Sequence, residues 1–259
     1  MPMRQPLSLN VRDQAGVGTS AISEALIRSA QRLRAETARL RFRPPVTHVY
    51  NPLVYAWTPH AAYLARFGTT QKRVVFLGMN PGPFGMAQTG VPFGEVAAVR
   101  DWLCLGCVVS RPEREHPRRP ISGLQCARSE VSGRRLWGLF AERFGTPERF
   151  FAEHIVINYC PLAFIETSGC NRTPDKLPAA EREVLFAACD RHLRKVVQCL
   201  QPEWIIGVGD FAARRAGEVF RDSGMKVGRI LHPSPASPAA NRNWALAATE
   251  QLRALGVWD

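Results

Sequence analysis

Lysine is scarce in this sequence. Lys72, Lys176, Lys195 and Lys226 are the only four among 34 basic residues, which leaves 30 arginines. Acidic residues are few as well: 22 Asp and Glu against 34 Lys and Arg give a formal net charge of +12. A coding bias toward GC accounts for arginine over lysine but not for basic over acidic. Arginine grips phosphate bidentately and stacks on flat faces, so the balance suits a polyanionic partner such as nucleic acid. Long apolar runs are missing, and no stretch approaches the ~20 residues that a membrane-spanning helix needs. Residues 1–18 are polar without an apolar core, and are expected to be a flexible tail rather than a secretory signal. Residues 19–259 are expected to form a single domain. With 46% hydrophobic and 22% charged residues, the bulk of the chain is neither disordered nor coiled coil.

Metal-ligand spacing is also lacking. Of seven cysteines only Cys104 and Cys107 form a C-x-x-C, and no second pair or nearby histidines complete a zinc or iron–sulfur set. No metal and no cofactor are expected. The cysteines read as reduced, mostly buried thiols of a protein that is not secreted, cytoplasmic in a bacterium or nuclear in a eukaryote. Gly207-Val-Gly209 lacks the third glycine of a dinucleotide site and the Lys-Ser/Thr of a phosphate loop. No carboxylate pair stands out for ordinary glycoside hydrolysis.

What is present is an alternation. Short, continuously apolar runs begin at Arg73, His154 and Glu203, with a less apolar one at Val227; such runs mark strands buried on both faces. Helical spacing separates them, over Ala21 to Phe42, Val131 to Phe144, Ala179 to Leu200, Asp210 to about Arg221, and Asn241 to near Gly256. Asp210 and Asn241 are the expected caps of the last two helices. Strands alternating with helices define an α/β fold with a parallel sheet.

In such sheets ligands bind at the carboxyl ends of the strands. The residues that follow the four runs are Asn80, in Gly-Met-Asn-Pro-Gly-Pro-Phe-Gly-Met86; Asn158, in Asn-Tyr-Cys-Pro-Leu162; Gly209; and His232, in His-Pro-Ser-Pro235. Asparagine is commonly a turn former and histidine commonly a satisfied core residue, so each alone says little. Together two amides and an imidazole share one edge, with Gly82 and Gly85 offering a ligand close approach to the backbone. An amide reads a base edge with donor and acceptor, and a neutral imidazole donates to a developing oxyanion. With Phe84 and Phe93 as flat faces, the set suits a pocket for a flipped base.

The stretch from Gly78 to Gly94, with Asn-Tyr-Cys-Pro-Leu162 and His-Pro-Ser-Pro235, resembles the single-strand-selective monofunctional uracil-DNA glycosylases of the uracil-DNA glycosylase superfamily. The resemblance implies a three-layer α/β/α sandwich around a four-stranded parallel sheet and hydrolysis without metal or lyase chemistry. It implies a repair enzyme that removes uracil and C5-oxidised uracils, such as 5-hydroxymethyluracil, from single- and double-stranded DNA and leaves an abasic site. No protein partner or membrane is implied. Catalytic roles fall to Asn80, which positions water, and His232, which donates to O2. Phe93 stacks on the base and Asn158 reads its N3–H and O4. Met79, Gly82, Pro83, Phe84 and Met86 line the pocket, and Gly82 leaves room beside C5 where some relatives carry a bulky aromatic. Ser234, Pro235, Ala236, Ser237, Pro238 and Arg242 are the expected DNA contacts. This segment departs from the family in having no large side chain to fill the vacated stack before Arg242. The alternatives are a glycosylase for deaminated purines (xanthine or hypoxanthine) and a feebly catalytic damage-binding module.

Overall fold

A computed structural model describes residues 20–259; the expected tail over residues 1–18 lies outside them. In chain order the regular elements are α1 (Ala21–Ala38), β1 (Val46–Tyr50), α2 (Pro52–Tyr55), α3 (Trp57–Phe67), β2 (Val74–Gly78), α4 (Met86–Thr89), α5 (Val131–Phe144), α6 (Pro147–Glu153), β3 (His154–Asn158), β4 (Ala163–Glu166), β5 (Asn171–Arg172), α7 (Ala179–Leu200), β6 (Trp204–Val208), α8 (Asp210–Val219), β7 (Lys226–Ile230) and α9 (Pro238–Ala254).

The four apolar runs are the four strands of one parallel sheet, in the order β3-β2-β6-β7. Helices cover both faces, as an all-parallel sheet requires. On one face Phe76 of β2 meets Phe140 of α5 and Trp258, and a Cβ on Gly228 of β7 would strike Leu255 just past α9. On the other, Gly207 of β6 lets α8 approach so closely that a Cβ would collide with Ala213. There Phe211 of α8 packs on Phe186 of α7, and α7 lies along α1. This is the α/β/α sandwich of the sequence reading. The outer edge of β3 is closed by one side chain: the Tyr63 hydroxyl donates to Val156 O (2.8 Å) and accepts from Val156 N–H (3.2 Å). Removing that hydroxyl would orphan two buried backbone groups at ~1–3 kcal/mol each.

Several boundaries differ from expectation. Helix α1 is closed at its start by reciprocal Ser20 and Ser23 hydrogen bonds, but it ends at Ala38 rather than Phe42. Pro44 forbids helical backbone at Arg43, and the extended segment still delivers Phe42 to the core against Phe164. Asp210 does not cap α8; its carboxylate pairs with Arg229 at 2.6 Å, and Gly209 is the cap residue. Helix α9 starts earlier, at Pro238, and breaks at Asn243, whose φ is −158° and whose Oδ1 accepts from Leu246 N–H. Asn241 instead receives Arg135. The cysteines are less buried than expected: Cys160 and Cys189 are buried, whereas Cys104 and Cys170 are exposed. A second sheet, antiparallel β1-β4-β5, was not foreseen. It folds over the β3 exit and packs Tyr50, Ala163 and Ile165 around Tyr55 and Ile121.

Candidate active site

From β2 the chain runs to β3 on one side, while β6 and β7 continue on the other, so the connections diverge at the β2/β6 pair. Such a divergence leaves a crevice at the carboxyl ends of the strands. Asn80 and Asn158 lie on one flank of it and His232 on the other. The loops are fixed to each other by backbone. Tyr159 N–H donates to Gly78 O and Cys160 N–H to Met79 O, both at 2.9 Å, so the ladder extends past the strand ends.

Asn80 is half-buried, and its Nδ2 donates to Leu162 O at 3.1 Å. That contact spends the donor end of the amide on the neighbouring loop and leaves Oδ1 as the end that accepts. Asn171, from β5, donates to Pro81 O and accepts from Phe164 N–H, so the small sheet fastens the Asn80 turn from outside.

Asn158 ends β3 opposite Gly78. Its Nδ2 faces Met86 Sδ at 3.2 Å. Its Oδ1 is buried and has no partner among the described residues. A Cβ on Gly78 would fall on that oxygen and on the Phe93 ring, so only glycine lets amide and ring sit together. Phe93 has φ +51°, a left-handed backbone that a bulky residue rarely adopts. The strain is held in place: the Trp137 indole N–H donates to Phe93 O at 3.1 Å, and Gly133 of α5 presses on the same carbonyl. The ring lies 6.2 Å from that of His232, centroid to centroid.

His232 is defined by its neighbours. Ser234 N–H donates to Nδ1 at 3.1 Å, so Nδ1 carries the lone pair and the proton of the neutral ring resides on Nε2. Burial lowers the pKa of the imidazole below its ordinary value, which keeps the ring neutral at physiological pH. Gly209, at φ +91°, backs the ring at the distance of a Cβ contact. The loop is tied to α5 by Arg135, which donates to Pro233 O and to Asn241 Oδ1, both at 3.0 Å.

The expected pocket residues Met79, Gly82, Pro83 and Phe84 follow β2 in one loop, and Met86 opens α4 directly after it. Gln88 buttresses it, donating to both Pro83 O and Pro120 O. Phe84 faces outward to cations, with Arg128 at 4.1 Å and Arg119 at 5.2 Å from its ring centre. Gly82 and Gly85 do not leave their backbone open to a ligand on the Cβ side. That space is filled by the carboxyl group of Glu130, the residue before α5. Glu130 is half-buried as a residue, but its Oε2 is buried and lacks a partner among the described residues, and burial of the carboxyl group with Glu95 nearby pushes its pKa up to about 7. Glu130, Arg135 and Asn171 were missed in the sequence. A Glu before an apolar run reads as a favourable charge at a helix start.

The expected DNA-contacting residues form the rim. Ser234 Oγ accepts from Ala236 N–H, while Pro235, Ala236, Pro238 and Arg242 are exposed. Arg242 pairs with no described residue. Among the described residues no group of three or more His, Cys, Asp or Glu is placed to hold a metal ion.

A four-stranded parallel sheet between helices, with two amides and a neutral imidazole at its carboxyl edge, has the ligand-binding edge of an α/β enzyme. Comparison with known proteins gives the same class. A family model, the uracil DNA glycosylase superfamily, matches residues 65–253. The chain is 49% identical over 239 residues to the single-strand selective monofunctional uracil-DNA glycosylase of Rattus norvegicus, covering 92% of this chain and 86% of that one. It is 48% identical to the Mus musculus protein of the same name, with the same coverage. In fold it resembles the crystal structure of wild-type Pedobacter heparinus SMUG2, with TM-score 0.63, 15% identity, and coverage of 88% of this chain and 97% of that one. The chain belongs to the uracil-DNA glycosylase superfamily and, within it, to the single-strand-selective monofunctional uracil-DNA glycosylases. It is therefore a hydrolase of N-glycosyl bonds that acts on DNA.

Proposed function

We propose that this enzyme removes uracil and C5-oxidised uracils from single- and double-stranded DNA by reading a flipped-out base between Phe93, Asn158 and His232. The observation that carries the reading is the buried, unpartnered Oδ1 of Asn158, set against the Phe93 ring. A buried acceptor without a donor costs ~1–3 kcal/mol, which the N3–H of a bound uracil recovers. Nδ2, held only by a thioether, turns to O4. Cytosine offers a bare N3 and an amino group and mismatches both ends.

The reaction breaks N1–C1′, and the bonding electrons leave with the base. Negative charge then spreads from N1 onto O2, where the Nε2–H of His232 donates. An imidazole that is already neutral gives this hydrogen bond without first losing a proton. Asn80 Oδ1 accepts from a water directed at C1′; the water oxygen bonds to C1′ and releases its proton. An amide is not a strong base, so rate comes from leaving-group stabilisation and positioning. The exposed segment from Ser234 to Pro238, with Arg242, meets the DNA backbone. The test is single-turnover base release from oligonucleotides carrying uracil, 5-hydroxymethyluracil, xanthine or cytosine, single-stranded and paired. Release of both uracils in both strand forms is expected. Release of xanthine alone would overturn the lesion assignment.

A further inference from the structure

Three buried side-chain polar atoms lack a partner among the described residues, and two of them, Asn158 Oδ1 and Glu130 Oε2, stand at this edge. The first has a role in reading the base; the second has none so far. Ring order indicates what Glu130 faces. With O2 at His232 and N3–H and O4 at Asn158, the next atom round the ring is C5, on the side to which Asn158 Nδ2 points. That side is Met86. Met86 directly follows Gly85, and the Cβ positions of Gly85 and Gly82 are both occupied by the Glu130 carboxyl group. A side chain at Gly82 would have to grow into that carboxyl group. The wall beside C5 is thus two glycines backed by one buried polar group.

We propose that Glu130 is a specificity-determining residue for the C5 substituent, its carboxyl group, which occupies the space beside Gly82 and Gly85, accepting a hydrogen bond from the hydroxyl of 5-hydroxymethyluracil. The inference rests on the base orientation and the lesion range proposed above. A free buried acceptor favours a hydroxyl donor over an apolar group of the same size, because the apolar group leaves it unpaired. Its neutral form at and below about pH 7 lets it sit beside an uncharged base at little electrostatic cost; burial is the main cause of that raised pKa, and the neighbouring Glu95 adds to it.

The experiment compares kcat/KM for 5-hydroxymethyluracil and 5-ethyluracil, which differ in one hydroxyl against one methyl, in single-stranded oligonucleotides. The wild type is expected to prefer the hydroxymethyl base at least about 10-fold, as one unmet buried hydrogen bond implies. Glu130→Gln retains an acceptor and is expected to keep the ratio within about threefold. Glu130→Leu is expected to bring it near one; Glu130→Met is the second apolar variant if the leucine protein does not fold. A ratio that survives the apolar substitution overturns the proposal. So does a wild type that removes both bases equally well, and that result leaves the lesion range standing. A wild type that removes uracil but neither C5-substituted base overturns both the lesion range and this inference.

Discussion

The two flanks of the crevice are built differently. On the Asn80–Asn158 flank the backbone is fastened, amide to carbonyl, loop to loop, and the small sheet to the turn through Asn171, while Asn158 Oδ1 is left without a partner among the described residues. On the far flank His232 is held closely, by Ser234 and Gly209, but the chain beyond it is exposed, small and kinked at Asn243. The contrast supports a reading in which bond cleavage and DNA grip are separable. On the proposed reading, groups that must be aligned to fractions of an ångström sit on strand ends, and groups that meet a pliable polyanion sit on a surface turn.

Changes to the groups at the strand ends, on either flank, should cost most. His232→Leu removes the donor to the developing oxyanion and is expected to lower single-turnover rates by about 10²–10³. Asn80→Ala should lower turnover by a similar factor on every substrate, because water positioning is blind to the base. Base release from uracil and 5-hydroxymethyluracil oligonucleotides measures both. An Asn80→Ala effect confined to one base would break the separation between water positioning and base reading.

One step back, Arg135 holds Pro233 and Asn241, on either side of the exposed turn that follows His232. Arg135→Ala is expected to lower kcat about 10-fold through misplacement of His232, with KM changed little. Arg135→Lys, able to reach only one of the two acceptors, should recover part of the loss. A KM effect alone would assign Arg135 to DNA binding instead.

On the open flank the effects should be smaller and fall on binding. Ala236→Arg adds a large cation to the exposed turn and is expected to tighten binding to abasic duplex a few-fold, and to single strands less. Equal tightening on both would mean that the turn does not enter the duplex.

The smallest effect concerns stability. Burial raises the Glu130 pKa from 4.5 to about 7, so folding favours its protonated form. Its contribution to stability is complete below pH 4.5 and declines as pH rises toward 7. Glu130→Gln removes that dependence. The variant should gain Tm relative to the wild type at pH 8, by ~2–4 °C for each kcal/mol recovered, and gain little at pH 5. Equal shifts at both pH values would show that the carboxyl group is not held neutral.

The central sheet was legible because strands buried on both faces are written as unbroken apolar runs. Its chemical edge was legible because each of three runs ends in Asn or His followed within three residues by proline. The antiparallel sheet was not. Its β5 has only two residues, Asn171 and Arg172, and Val46–Tyr50 is half exposed, so neither gives a continuous apolar signal. Asp210 and Asn241 misled as caps because each found a better partner far away in sequence, Arg229 and Arg135. Glu130 was hidden by the same cause, since its meaning lies in two glycines some 45 residues earlier.

The central claim is that Asn158 tells uracil from cytosine while Asn80 and His232 do not. Asn158→Asp exchanges the amide donor for a second acceptor, which cannot meet O4 but can accept from the cytosine amino group. Single-turnover release from matched uracil and cytosine oligonucleotides should show uracil excision down by about 10² or more, as two mismatched buried contacts imply, and cytosine excision newly detectable. Proportional loss on both bases, as expected for Asn80→Ala, would contradict the assignment.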